Sequence, residues 1–161
     1  MKKIKATYTF QKRNYNIEKV NLNLIKTKFS KFYSFVNDPK FKKISNQIIH
    51  NYKYIAYCQD QKENIVSCVL FKELIEFPYI WQLGRISTDS KYTNKGIASN
   101  LLKIIIDFIK IHNGYKLTVY VSNTNKIAQK FYRKNGFINE ASIKNMKLKT
   151  EDINIFTKTV I

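Results

Sequence analysis

A strand-like segment, Tyr79 to Thr88, leads into a polar turn with one glycine, and an amphipathic helix begins directly after that turn. The turn and the start of the helix read Tyr92-Thr93-Asn94-Lys95-Gly96-Ile97-Ala98-Ser99-Asn100-Leu101-Leu102. Backbone N–H groups at such a turn point outward and the helix N-terminus adds partial positive charge, so the segment suits a pyrophosphate. The alternative is a glycine that only relieves a tight turn.

A second motif lies downstream of this helix. It combines an asparagine, a small residue, an aromatic pair and a glycine–phenylalanine pair, at Asn125, Ala128, Phe131, Tyr132, Gly136 and Phe137. With the first motif, it resembles the GCN5-related N-acetyltransferase (GNAT) family, which transfers acyl groups from acyl-CoA to amines. The family's donor-binding loop reads Gln/Arg-x-x-Gly-x-Gly/Ala, and Thr93 to Ala98 fits except that Thr93 replaces the usual first residue. The resemblance covers roughly Ile80 to Ile138.

Length and composition predict one GNAT-like domain over residues 1–161, because a chain of this size is ordinary for one domain and can bury a core. No apolar run approaches the roughly 20 residues needed to span a bilayer, and the first residues lack the apolar stretch of a signal peptide. Cys58 and Cys68 fit a reducing compartment, without a CxxC motif or a Cys/His cluster for metal. The sequence therefore predicts a cytoplasmic protein with no metal and no membrane partner.

The formal net charge of +18 predicts attraction to phosphate-rich or acidic partners such as nucleic acid, an acidic protein or CoA itself. Only three of the 29 basic residues are arginines, at Arg13, Arg85 and Arg133. Because nucleic-acid readers tend to use the planar arginine fork, a nucleic-acid partner is not favoured. Lysine, asparagine and isoleucine are also what an A/T-rich coding sequence supplies. Compositional drift on a solvated surface and a functional anionic partner both stay open.

Hydrophobic periodicity and turn residues predict the order β-α-α-β-β-β-α-β-α-β-β. The predicted strands are Lys3–Phe10, Tyr52–Cys58, Ile65–Leu74, Tyr79–Thr88, Tyr115–Val121, Phe137–Lys149 and Ile153–Val160. The predicted helices are Leu22–Val36, Pro39–His50, Ile97 to Asn113-Gly114, and Asn125–Lys134 with Thr124 as its cap. The resemblance implies an α/β (α+β) acyl-CoA N-acyltransferase fold. In that fold a mixed, mostly antiparallel central sheet of about seven strands is flanked by about four helices, and two central parallel strands splay apart to admit the pantetheine arm.

The resemblance implies that acetyl-CoA is the donor. Backbone groups of the turn would hold its pyrophosphate, and backbone groups at the end of the preceding strand would meet the pantetheine amides. These residues are Asn94, Lys95, Gly96, Ile97, Ala98 and Ser99 in the turn and Ile86, Ser87 and Thr88 in the strand. In the family, the Asn125 position approaches the pantetheine arm, and Ala128 is small where the cofactor lies close. An ordinary strand end and an ordinary helical alanine remain the structural alternatives.

Tyr132 is the predicted general acid, because aminolysis of a thioester expels a thiolate and a phenol held near sulfur can protonate it. The alternative is a tyrosine that only packs its ring. Some family members place a glutamate base where this chain has Gln82, and others where it has Thr118; both side chains can hold a water without being useful bases. A water relay with no dedicated base is the default interpretation. The other candidates are the weak base Glu73, then Glu76, His50, and His112, which is expected to be structural.

Acceptor specificity in the family comes from the connection of the first two helices and from the loop between the last strands. Here these are residues 35–41, with Phe35, Asp38 and Phe41, and residues 147–153. Their basic rim suits an anionic amine: a sugar nucleotide, an acidic peptide or an aminoacyl-RNA. Two functions stay open. One is an N-acetyltransferase in which a primary amine attacks acetyl-CoA directly in a ternary complex, and the other is a non-catalytic module that binds nucleic acid or an acidic protein. Family members are often dimers, so a homodimer also stays open.

Overall fold

The computed structural model describes residues 5–10, 13–33, 51–147 and 151–160. The chain divides into two compact units. The first unit comprises residues 1–72 and 85–105, and the second comprises residues 73–84 and 106–161. The prediction of a single domain over the whole chain stays a prediction.

Four antiparallel strands build the first unit: β1 (Lys5–Phe10), β2 (Arg13–Lys19), β3 (Tyr54–Gln59) and β4 (Ile65–Glu73). Strand β2 was not predicted from the sequence. Its buried residues are Tyr15 and Ile17 on one face and Asn16 on the other, which is only 4% exposed and donates to Gln59 Oε1 at 3.1 Å. The alternation of apolar Tyr15 and Ile17 with their polar neighbours is the pattern of a half-buried strand, and the prediction overlooked it.

Helix α1 (Leu22–Lys28) begins at Asn21, whose side chain accepts a hydrogen bond from the Leu24 amide at 2.8 Å. The predicted extension to Val36 is wrong as far as Tyr33, because the chain turns after Lys28 and so buries both Phe29 and Tyr33. These rings pack with residues of α1, β3 and β4 in the core of the first unit: Ile25, Ile55, Tyr57, Cys68 and Leu70. The predicted second helix, Pro39–His50, lies outside the described residues.

The strands of the second unit follow the order β5-β6-β8-β7: β5 (Ile80–Thr88), of which residues 80–84 belong to this unit, β6 (Lys116–Ser122), β7 (Ile138–Lys147) and β8 (Glu151–Thr159). Strands β5 and β6 are parallel, whereas β6–β8 and β7–β8 are antiparallel. The β5–β6 pairing runs from Ile80 with Lys116 to Leu83 with Val119, although both strands continue beyond it. This early end of the parallel ladder agrees with the splayed strands that the resemblance implied. The mixed sheet confirms the predicted fold class, with eight described strands instead of about seven.

Two further helices follow the strands: α2 (Ile97–Ile111) and α3 (Lys126–Lys134). With α1, three α-helices lie in the described part of the chain, and the fourth predicted helix is the one outside it. Helix α2 ends as predicted at Asn113-Gly114, but the left-handed residue is Asn113, with φ of 57°. Gly114 is needed for space, because a Cβ there would lie 2.2 Å from Ile109 Cγ2. Within these described ranges, no helix is long and apolar enough to cross a bilayer.

Candidate active site

The loop between β5 and α2 has the backbone of an anion-binding turn. A short 3₁₀ helix, Ser90–Tyr92, comes first, and Asn94 and Gly96 then take left-handed φ values of 59° and 73°. A Cβ built on Gly96 meets no protein atom within 4 Å, so the loop is open on that side. The first helical hydrogen bond of α2 runs from Asn100 N to Gly96 O at 3.0 Å. The amides from Gly96 to Ser99 therefore precede the helical ladder and have no intrahelical partner.

Tyr92 connects this loop to the turn between β3 and β4. Its hydroxyl donates to Asp60 Oδ2 at 3.0 Å, and Asp60 also accepts from the Lys62 amide and from the amide and side chain of Asn64. Desolvation opposes the charged form of Asp60, but these hydrogen bonds outweigh it and hold the pKa of this carboxyl below its ordinary value. Asp60 and Tyr92 are 32 positions apart, so no sequence pattern pointed to this contact.

Asp89 and Ser67 fix the end of β5. The Asp89 carboxylate caps the 3₁₀ helix through the Lys91 amide at 3.0 Å and forms an ion pair with Lys31, and these contacts lower the pKa of the Asp89 carboxyl. Ser67 Oγ donates to the Ser87 carbonyl at 3.0 Å and lies 2.9 Å from Thr88 Oγ1. Ser87 Oγ is buried and has no hydrogen-bond partner among the described residues. The strand end that the resemblance assigned to pantetheine therefore carries one unsatisfied buried hydroxyl.

Helix α3 carries the second motif. Its cap is Asn125, whose side chain accepts from the Ala128 amide at 3.0 Å, so the prediction of Thr124 as the cap is wrong. Thr124 instead donates to Glu151 Oε1 at 2.9 Å, because the end of β6 lies beside the start of β8. The helix ends as predicted at Asn135-Gly136, where Gly136 has a φ of 80°.

Tyr132 is 5% exposed and packs among three aromatic rings. The ring centroids lie 5.2 Å from Phe131, 5.3 Å from Phe137 and 6.4 Å from Phe156. Phe131 was expected in the core and is half-buried. The position of Tyr132 on α3 is therefore fixed by packing.

The structure pairs the two positions, Gln82 and Thr118, at which the resemblance implied a glutamate base in some family members. Gln82 and Thr118 are register partners on β5 and β6, and Thr118 in turn pairs with Thr157 on β8. Register partners point to the same face of a sheet, so these three side chains form a polar row. Glu140 hydrogen-bonds Thr157 and forms a 2.7 Å ion pair with Lys116, which lowers the pKa of the Glu140 carboxyl. Sequence reasoning missed Thr157 and Glu140, because the insertion of β8 between β6 and β7 is not visible in the residue order.

The other predicted base candidates are more isolated. Glu73 is the half-buried last residue of β4, and its side chain makes no hydrogen bond or ion pair within the described ranges. Glu76 is exposed in the turn after β4. His112 stacks on Phe108 with ring centroids 4.0 Å apart and lies 2.8 Å from the Phe108 carbonyl, as expected for a structural histidine. His50 lies outside the described residues.

The predicted acceptor segments are described only in part. Phe35, Asp38 and Phe41 lie outside the described residues. In the second segment, Asp152 pairs with Lys144 at 2.9 Å and accepts from the Asn145 amide, which lowers the pKa of this carboxyl. Glu151 accepts from Ser122 and Thr124. Where the structure describes the chain, no group of three His, Cys, Asp or Glu side chains is placed to hold a metal ion.

The model of the acetyltransferase (GNAT) family matches residues 22–137 of this chain. This match covers more than half of the sequence, so the chain belongs to the GNAT acetyltransferase family. No curated protein sequence matches it.

Solved structures of similar fold are distant in sequence. A protein of Desulfovibrio desulfuricans assigned to the GNAT family has a TM-score of 0.74 at 13% identity, covering 92% of this chain and 99% of that one. The ribosomal-protein-S5-alanine acetyltransferase of Vibrio fischeri has a TM-score of 0.69 at 19% identity, covering 96% and 97%. A Bacillus anthracis protein assigned as a streptothricin acetyltransferase, in complex with acetyl coenzyme A, has a TM-score of 0.61 at 20% identity, covering 67% and 62%. These likenesses establish the acyl-CoA N-acyltransferase fold.

Proposed function

We propose that this protein is an acetyl-CoA-dependent N-acetyltransferase in which a primary amine attacks the donor directly in a ternary complex. The observation that carries the proposal is the loop before α2. Two left-handed residues, Asn94 and Gly96, turn the backbone so that four amides stand ahead of the first helical hydrogen bond. Such amides, together with the positive end of a 15-residue helix, favour a pyrophosphate.

The residues of the first unit fit the donor. The amides from Asn94 to Ser99 would hold the pyrophosphate, and the open space beside Gly96 lets a phosphate approach the backbone. Lys95 is part of this loop and would add positive charge. At the end of β5, the backbone of Ile86, Ser87 and Thr88 would meet the pantetheine amides. The unsatisfied Ser87 hydroxyl supports this role, because a buried polar group without a partner is costly unless a ligand completes it.

The donor supplies an acetyl thioester, and the chain handles the protons around it. The amine nitrogen forms a bond to the acetyl carbon, the carbon–sulfur bond breaks, and the sulfur leaves as a thiolate. In this proposal Tyr132 protonates that thiolate, while Asn125 and Ala128 on the same helix border the pantetheine arm. The ammonium proton leaves through water held by Gln82 and Thr118, with Glu73 as a weaker candidate base. An acceptor amine with a lowered pKa needs no dedicated base.

The acceptor is proposed to be an amine on an anionic molecule, because the chain carries a net charge of +18. Sugar nucleotides, acidic peptides and aminoacyl-RNA belong to this class. The similar structures are named for acceptors as different as ribosomal-protein alanine and streptothricin, so the fold by itself selects none of them. We also propose a cytoplasmic location, where acetyl-CoA is available; a homodimer remains a proposal without supporting contacts.

The first test is the shift in melting temperature with acetyl-CoA at moderate salt, beside ATP and heparin as matched polyanions. A ligand that binds only the folded state at about 100 times its dissociation constant adds about 2.7 kcal/mol of stability. We expect a shift specific to acetyl-CoA that is weakened in Gly96→Val. An equal shift with all three polyanions would instead favour the non-catalytic module that binds nucleic acid or an acidic protein.

The second test is acceptor-dependent release of CoA thiol. We expect turnover in the wild type and a loss of about 10²-fold or more in Tyr132→Phe, because general acid catalysis contributes about 10²- to 10⁴-fold. Phe131→Leu on the same helix is a matched control for packing. Turnover that is equal in wild type and Tyr132→Phe would remove the acid role while leaving the donor site intact.

A further inference from the structure

A cleft of about 340 Å³ lies within the first unit, between the end of α1, the β3–β4 turn and the 3₁₀ helix before the donor loop. Its polar lining comes from three lysines, two aspartates, an asparagine and a tyrosine: Lys28, Lys31, Lys91, Asp60, Asp89, Asn64 and Tyr92. Phe32 adds an aromatic wall. Neither family motif predicts this cleft, and the proposed function assigns no role to its lysines.

The carboxylates of this cleft are already occupied by donors from the protein. A carboxylate has about four acceptor positions. Asp60 uses all four, because it accepts from the Lys62 amide, the Asn64 amide, the Asn64 side chain and Tyr92 at distances between 2.9 and 3.2 Å. Asp89 accepts from the Lys91 amide and from the Lys31 ammonium. A cationic ligand would therefore find few free acceptors here.

The lysine ammonium groups of the cleft, in contrast, still have unused N–H donors. Each lysine has three N–H donors. Lys28 uses two of them, on Tyr57 Oη at 2.7 Å and on Glu18 Oε1 at 3.2 Å. Lys31 uses one, on Asp89, and the exposed Lys91 ammonium makes no hydrogen bond or ion pair with the residues that the structure describes. The cleft thus combines one saturated carboxylate, Asp60, and one carboxylate already paired with a lysine, Asp89, with cationic donors that the protein leaves unused.

We propose that this cleft binds a phosphate or carboxylate group through the ammonium groups of Lys91, Lys31 and Lys28, with Tyr92 and Phe32 flanking the attached molecule. The Lys31–Asp89 pair and the Tyr57–Lys28 hydrogen bond hold two of the three cations in place before a ligand arrives. Tyr92 directly precedes the donor loop at Thr93, so an anion bound here lies beside the donor-binding backbone of the same unit. The group belongs either to the donor, as its 3′-phosphate, or to an acidic acceptor.

The test is a titration of the full chain with inorganic phosphate, followed through the backbone amide resonances at constant ionic strength. We expect saturable shifts at Asn64, Lys91 and Tyr92. Lys91→Glu should weaken this binding about tenfold, because the change removes an attraction and adds a repulsion. Lys103→Glu is the control, because it makes the same charge change at an exposed position of α2 in the same unit. This variant should leave phosphate binding unchanged. The Lys91 ammonium makes no hydrogen bond or ion pair with the described residues, so the Lys91→Glu variant loses only the longer-range attraction between Lys91 and Asp89.

Two results would overturn the proposal: no saturable shift at these amides, or equal shifts in wild type and Lys91→Glu. The source of the anion is read from the same titration in the presence of saturating CoA or 3′-dephospho-CoA. Competition by CoA alone assigns the cleft to the donor's 3′-phosphate, and binding that persists with both assigns it to the acceptor. If the protein binds neither CoA nor 3′-dephospho-CoA, the proposed function is refuted. The phosphate titration of the free protein still tests the cleft independently.

Discussion

The donor loop and helix α3 carry the two halves of the family signature, and different forces hold them. The donor loop is fixed by polar contacts of half-exposed groups, chiefly Tyr92 with Asp60 and Asp89 with Lys31. Helix α3 is fixed by buried rings, with Tyr132 packed against Phe137 and Phe156. Polar contacts near water give small free energies and respond to pH, whereas buried aromatic rings give large ones that do not. We therefore expect substitutions to uncouple folding from donor binding in the loop but not in α3.

The largest expected effect is on the packing of α3. Phe156→Ala removes a fully buried ring beside Tyr132, and we expect the free energy of unfolding to fall by about 3–5 kcal/mol in urea titrations. Ile127→Ala on the same helix is the control, because that side chain is 86% exposed and should change stability by less than about 0.5 kcal/mol. Similar losses in both variants would mean that the aromatic cluster does not anchor α3.

Substitution of one glycine in each unit, Gly114 in the second and Gly96 in the first, compares overpacking with backbone strain. Gly114→Ala places a Cβ 2.2 Å from Ile109 and 2.6 Å from Trp81, and we expect a loss of about 1–3 kcal/mol from overpacking. Gly96→Ala meets no atom but strains a left-handed residue, which costs about 1–2 kcal/mol. Thermal unfolding measures both losses, and calorimetry should show weaker acetyl-CoA binding in Gly96→Ala. Unchanged donor affinity there would separate the loop from the donor site.

Substitution of the helix cap of α3 is expected to cause a smaller loss of stability, which a second substitution at the same position should restore. Asn125→Ala removes the acceptor of the Ala128 amide and should cost about 1 kcal/mol. Asn125→Asp keeps an acceptor at the same place and should restore the stability measured in urea. If donor affinity stays low in the aspartate variant while stability recovers, Asn125 contributes to binding beyond its role as a cap.

The smallest effect on folding is expected in the loop itself. Because the folded pKa of Asp60 is depressed, its stabilisation is present above its ordinary pKa of about 3.9 and is lost as the pH falls through the lower folded value. We expect Asp60→Asn and Tyr92→Phe to raise the dissociation constant of acetyl-CoA a few-fold at pH 7 with little change in melting temperature. The difference in stability between wild type and Asp60→Asn should vanish once the pH has fallen below the lowered pKa of the folded Asp60 carboxyl. A difference that persists there would show that Asp60 acts by packing and not by charge.

The parts of the fold and site that could be predicted from the sequence are those with local signals. The donor loop and the Asn125–Phe137 motif are contiguous, so their spacing alone identified the family that the comparison then confirmed. Strand β2 carries the alternating pattern of a strand in residues 14–18 and was overlooked, whereas the contact of Asn16 with Gln59 joins positions 43 apart and has no local signal. The Asp60–Tyr92 contact and the polar row from Gln82 to Thr157 also join distant segments, and only strand pairing brings them together.

The packing around Trp81 also decides what an optical experiment on this protein can report. It is the single tryptophan of the chain, 1% exposed, with its ring 6.0 Å from Phe108 and 6.3 Å from His112 in the second unit. Intrinsic emission excited at the red edge therefore reports on the surroundings of Trp81, in the second unit. The donor loop and the basic cleft contain no tryptophan, so local changes there are followed by tyrosine absorbance or by circular dichroism.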